Sequence, residues 1–204
     1  MRLLISLPSR FTGTAVFNSM RKAIVFIDGS NFYHKLRELS FQLEGKFSLL
    51  DFHFYKFSEW LVKPNQLTEA RYYIGALKRQ RNEKSEKMYA DQQKLLARLQ
   101  TLGFSITLGQ LIQHPDKSFH EKGVDVRIAV EIIRLAREDK YDIAYLLSSD
   151  TDLVAAVEEV KSLGKKVVYI GIAKGQSFGL TKTSDDTRLL RAEEIQQFLP
   201  ASLI

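Results

Sequence analysis

EKGVDVRIAVEIIRLAREDKYDIAYLLSSDTDLV, residues 121–154, decides how the chain reads. Its apolar spacing predicts a helix from near Asp125, a turn over Glu138–Lys140 and a buried strand from Tyr141 to Leu147. The strand runs into Ser148-Ser149-Asp150-Thr151-Asp152, and a second helix over Asp152–Leu163 starts at once. In an open parallel α/β sheet, ligands bind beyond the carboxyl ends of strands. Asp150 and Asp152 stand two residues apart at such an end, with Asp125 at a nearby helix start. That pattern suits a divalent cation. Hard ions such as Mg²⁺ take oxygen ligands, usually one or two carboxylates with water and substrate phosphate.

The other half of such a site lies upstream. Ala23–Ile27 (AIVFI) is a continuous apolar run, as expected of a central strand buried on both faces. It ends in Asp28-Gly29-Ser30-Asn31, followed by a helix with Phe32, Leu36 and Leu39 on one face. Gly29 is expected to make a tight turn, and Ser30 or Asn31 to cap the helix. Further strands are predicted over Glu69–Leu77, Phe104–Ile112 and Lys166–Ile172, with helices between them. The alternation argues an α/β fold with a mostly parallel central sheet, flanked by helices on both faces. Asp28 and Asp150 should then end neighbouring strands.

Between these landmarks, Leu50, Phe54, Phe57, Trp60 and Leu61 recur at helical spacing before Pro64. This aromatic stripe could stack on bases, but core packing accounts for it more simply. The helix Glu83–Leu102 should turn Met88, Leu95, Leu99 and Leu102 inward. Its start is preceded by Lys78, Arg79, Arg81 and then Lys84, a basic connection at a strand's carboxyl end. Cations are unfavourable at a helix N-terminus, so contact with phosphate competes with a solvated helix start as its explanation. His114–Lys122 reads as a polar loop carrying Lys117 and Lys122, and the tail from Ala173 as loop and then a short helix. Lys174 and Lys182 add a third basic group. The four histidines have no metal-ligand spacing and read as surface residues, with His120 able to reach the site from its loop. No glycine-rich nucleotide fingerprint or hydrolase elbow follows a strand.

With 204 residues, 45% of them hydrophobic, the chain can bury one substantial core. No run approaches the roughly 18–20 apolar residues that span a membrane. The absence of cysteine excludes disulfides and thiolate metal sites and suits a reducing, cytoplasmic setting. A net charge of +6 favours an anionic partner, nucleic acid first. Residues 1–20 precede the first acid, Asp28, and are interrupted by Pro8 and Arg10. They read as a disordered tail or an upstream start, with a transit peptide as the alternative; the domain is expected over 21–200.

Taken singly, Asp28, Asp125 and Asp152 each have a structural explanation as turn former, helix-start acid or cap. Converging at one sheet edge they would repel one another unless cations neutralise them. Phosphodiester cleavage needs such an arrangement. VFIDGSNF, KGVDV, LLSSDTDL and the lysine-rich turn into VVYIGI together resemble the NYN domain, a PIN-like nuclease family, in its LabA-like branch. The resemblance covers roughly residues 22–199. It implies a Rossmann-like PIN fold and RNA cleavage with Mg²⁺ or Mn²⁺ held by Asp28, Asp125, Asp150 and Asp152. Asn31 matches the family's early asparagine and Ser149 supports the site. Lys78, Arg79, Arg81, Lys84 and Lys122 are the expected nucleic-acid contacts, with single-stranded DNA as another substrate. Asp185 and Asp186 lie near the family's later acid but out of step by one residue. The alternative reading is a nucleic-acid-binding regulator of the same fold without significant catalysis; a phosphatase using the same cation site is a third.

Overall fold

The computed structural model describes residues 20–40, 48–77, 83–113 and 119–200. Its centre is strand β1 (Lys22–Asp28), whose first residue is exposed and whose other six are buried. Helix α1 (Gly29–Ser40) follows without a break, then α2 (Phe54–Val62), β2 (Gln66–Gly75), α3 (Glu83–Thr101) and β3 (Ser105–Gln113). A short β4 (Phe119–Lys122) leads to α4 (Val124–Arg137) and β5 (Ile143–Leu147). A one-turn 3-10 helix (Thr151–Leu153) then opens α5 (Val154–Ser162), followed by β6 (Lys166–Ile172). The chain closes with α6 (Phe178–Thr183), β7 (Asp186–Leu190) and α7 (Ala192–Gln196).

The strands lie in the order β4-β3-β2-β1-β5-β6-β7, all parallel except β4, which runs antiparallel to β3. Alternate residues of β1 feed two cores. Ala23, Val25 and Ile27 meet side chains of α1, α2, α3 and α7. Ile24 and Phe26 meet those of α4, α5 and α6. The expected helix–sheet–helix sandwich is therefore the observed one. From β1 the chain builds outward through β2 and β3, then returns to place β5 on the other side of β1. The order reverses between β1 and β5, which makes the space above their carboxyl ends the switch-point crevice of a doubly wound sheet.

Several expectations need correcting. Residues 119–122 form the antiparallel edge strand β4 rather than loop, and the tail contains α6 and strand β7. Both are short edge strands, which carry little of the alternation that marks a half-buried strand. Strand β2 is shifted about three residues towards the N-terminus. In α3, Leu95 and Leu99 are buried, but Met88 is half exposed. One turn after Met88, Gln92 takes the inward place, its amide donating to Gly75 O and its Oε1 accepting from Leu77 N. The aromatic stripe of α2 is core: Phe54 and Phe57 are fully buried with Phe52, Phe54 packing on Phe52 and Phe57 on Phe198. Among the described residues no helix is long and apolar enough to cross a membrane.

Candidate active site

Residues Ile27 and Leu147 are paired neighbours on β1 and β5. The next residues, Asp28 and Ser148, therefore emerge side by side at the carboxyl edge. Asp28 is 5% exposed, and its Oδ2 accepts a hydrogen bond from the buried Ser148 hydroxyl at 3.0 Å. Its Oδ1 accepts the backbone N–H of Asn31 at 3.0 Å. These bonds offset part of the cost of removing the carboxylate from water. Asp28 is thus the residue whose side chain caps the first turn of α1, a role expected of Ser30 or Asn31. Gly29 is not in a left-handed conformation, so no tight turn demands it. Its missing side chain serves packing instead, because a Cβ there would meet the Tyr72 ring at 2.6 Å.

Beyond β5, Ser148 Oγ also accepts the Asp150 N–H at 3.2 Å. Asp150 caps the 3-10 helix, its Oδ1 accepting from Asp152 N at 2.9 Å. The two carboxylates of the S-D-T-D run consequently diverge. Asp150 lines the cleft, while Asp152 is exposed and is not part of the cleft wall. On the third side, Gly123 takes a left-handed conformation (φ 85°) that turns β4 into α4. Asp125, in the first turn of that helix, joins the same cleft wall. Asp28, Asp125 and Asp150 therefore reach one cleft of about 400 Å³ from three separate elements.

Lys35 stands in none of the motifs, yet it is built into the lining of this cleft. One turn after Asn31 on the same face of α1, it is only 9% exposed and donates from Nζ to Ser149 Oγ. Burial lowers the pKa of its ammonium, while the charges of Glu38 and Asp28 act in the opposite direction. Ser149 Oγ also lies 2.9 Å from Tyr169 Oη, which accepts the Ser177 N–H at 3.0 Å. Gly171 leaves the room this needs, since a Cβ there would stand 2.6 Å from the same hydroxyl oxygen. The chain Lys35–Ser149–Tyr169–Ser177 thus ties α1, the β5 end, β6 and the cap of α6 together. The i, i+4 spacing of Asn31 and Lys35 was the one signal that could have revealed it. His34, expected at the surface, is exposed but lines the cleft.

The three aspartates offer oxygen donors, which suit Mg²⁺ or Mn²⁺ rather than a soft metal, with the His34 imidazole also on the cleft lining. Among the described residues, no three acids or imidazoles gather tightly enough to ligate one ion by themselves. An ion here would be held by one or two carboxylates and completed by water, an arrangement usual for Mg²⁺. The donor set fits on those terms.

At the rim, Lys174 pairs with Glu38 at 2.7 Å and lines the cleft, and Lys182 is exposed on α6. Lys78, Arg79, Arg81 and Lys117 lie outside the described residues, as do the side chains of Lys84, Lys122 and His120. Asp185 and Asp186 are at the opposite, amino-terminal edge of the sheet. Asp185 Oδ2 accepts Val167 N at 2.9 Å and its Oδ1 approaches Lys161 Nζ at 3.7 Å. Both aspartates line a separate cavity with Arg21, Lys63 and Lys166.

The family model of the NYN domain matches residues 22–190. A crystal structure of a protein of unknown function from Vibrio parahaemolyticus superposes with a TM-score of 0.64. The alignment has 22% identity and covers 90% of this chain and 98% of that one, a likeness of fold. No curated protein matches.

Proposed function

This chain belongs to the NYN domain family, within the PIN-like nuclease superfamily, and from that premise we propose that it is a metal-dependent ribonuclease of the LabA-like branch. The observation that carries the proposal is the convergence of Asp28, Asp125 and Asp150 on the switch-point cleft. Asp28 and Asp150 are the residues that would hold Mg²⁺ or Mn²⁺. Such an ion, when bound, supplies Lewis-acid polarisation of phosphate and a more acidic water. Asp125, on the lining of the same cleft, is the third carboxylate of the set and would hold the ion directly or through water. Asp152 would act on the ion only through water, because its side chain is exposed outside the cleft wall. Asn31 and Ser149, the latter held by Lys35 and Tyr169, line the same cleft and would orient phosphate oxygens there. The substrate is RNA, with single-stranded DNA as the second candidate, met in the cytoplasm.

Asp150→Asn is the decisive variant. Asparagine retains the Oδ1 acceptor that caps the 3-10 helix, so the fold should persist. Labelled RNA incubated with Mn²⁺ should be cleaved by wild type and not by Asp150→Asn or in EDTA. Equal cleavage in all three would overturn the metal-dependent reading. The loose spacing of the carboxylates keeps one competitor, a binding module without catalysis. RNA retained on the protein but never cut, with Mn²⁺ present, would favour it.

A further inference from the structure

We propose that Lys35 is a fixed cation of this cleft, standing in for the second divalent ion of a two-metal nuclease, so that the site takes a single Mg²⁺ or Mn²⁺. The inference rests on the metal-dependent reading above and specifies how that site is composed. Lysine is almost never buried to 9% exposure unless its charge is compensated. Its hydrogen-bond partner, Ser149, is neutral and could be served by a neutral donor. The charges that act on the ammonium are those of Glu38 and Asp28. Glu38 already pairs with Lys174, so of the two acids Asp28, the proposed ion holder, is the one that links Lys35 to the ion site.

Charge counting points the same way. The cleft lining carries four carboxylates, Asp28, Glu38, Asp125 and Asp150, and two ammonium groups, Lys35 and Lys174; one divalent ion balances them, whereas a second would leave two positive charges in excess. Two-metal sites hold their ions roughly 3.5–4 Å apart between shared carboxylates. Among the described residues no three acids or imidazoles are grouped to hold even one ion unaided, so carboxylates to share with a second are lacking. Lys35 also has a fixed position, because Ser149 and the buried face of α1 hold it. From there its ammonium can donate to the non-bridging phosphate oxygen that a second ion would otherwise neutralise.

Mn²⁺ binding to the full chain, counted by electron paramagnetic resonance and by calorimetry, tests this without reference to turnover. Wild type and Lys35→Arg should bind one ion. Lys35→Met should bind two, or bind the first at least roughly tenfold tighter as a nearby positive charge is lost. Lys35→Gln keeps a donor towards Ser149 and should behave like Lys35→Met, which guards against a packing defect in either variant. Two ions in wild type, or neutral variants that keep the wild-type stoichiometry and affinity, would overturn the proposal. A wild type that binds no Mn²⁺ removes the metal-dependent reading and this inference together. The expected ion counts without any RNA cleavage would remove the nuclease reading and leave the role of Lys35 standing.

Discussion

A Cβ at position 29 would meet Cζ, Oη and Cε1 of Tyr72 at 2.6–2.7 Å. Tyr72 is fully buried, so its ring cannot swing into solvent to relieve the contact. Gly29→Ala should therefore destabilise the fold by roughly 1–3 kcal/mol, the usual effect of overpacking a core. Denaturant melts of the purified variant measure it; an unchanged midpoint would mean that α1 shifts freely. Activity should fall with it, because Asn31 and Lys35 ride on the same helix and move with its start. The neighbouring Asp28 shows how tightly the first residues of the site are specified. One oxygen serves the helix start and the other the β5 end, so its carboxylate cannot rotate without losing one of them.

On the scale of elements, α2 offers the sharpest test of what the aromatic residues do. Phe57 stacks on Phe32 and meets Phe52 and Phe198 edge-on, with ring centroids 5.3–5.5 Å apart. Phe57→Ala should cost about 3–5 kcal/mol, the range for deleting a buried aromatic ring. At a temperature where the variant remains folded, its affinity for RNA should equal that of wild type. A selective loss of RNA affinity would make the stripe a stacking surface instead. The partly buried Trp60 has a second role, receiving the Arg188 guanidinium 3.8 Å above its ring. That cation–π contact pins β7 to the helix layer.

For the whole molecule, the distribution of charge decides how a polyanion approaches an acidic cleft. The net charge of +6 must be presented near the carboxyl edge to be useful there. Lys174 is on that edge, and β2 ends at Gly75 on the same side, shortly before Lys78, Arg79 and Arg81 in the chain. Replacing Arg79 and Arg81 together with Ala should weaken RNA binding across sequences and flatten the slope of log K against log salt by about 1.4–1.8. An unchanged slope would place the nucleic-acid path elsewhere. The opposite edge carries Arg21, Lys63 and Lys166 as well, but beside Asp185 and Asp186, where the acids offset the attraction.

The central strands, the alternation of layers and the acids Asp28, Asp125 and Asp150 were legible in the sequence because each depends on local pattern. An apolar run that breaks into D-G or S-D marks a buried strand and its end wherever the strand is packed. Edge strands β4 and β7 were not legible, since a short strand at a sheet's rim is defined by the neighbour it pairs with. The divergence of Asp150 and Asp152 was also hidden. Their spacing is the same whether the chain goes on as strand or turns into a 3-10 helix, and only the helix sends one inward and one out. Asp185 and Asp186 lie near the family's later acid in sequence, and parallel strand pairing alone put them at the far edge. Lys35 is the clearest case. Sequence gives a lysine on an amphipathic helix, whereas its burial and its bond to Ser149 arise from β5 packing next to β1. Desolvation of a charge depends on everything around it, and those surroundings exist only once the chain has folded.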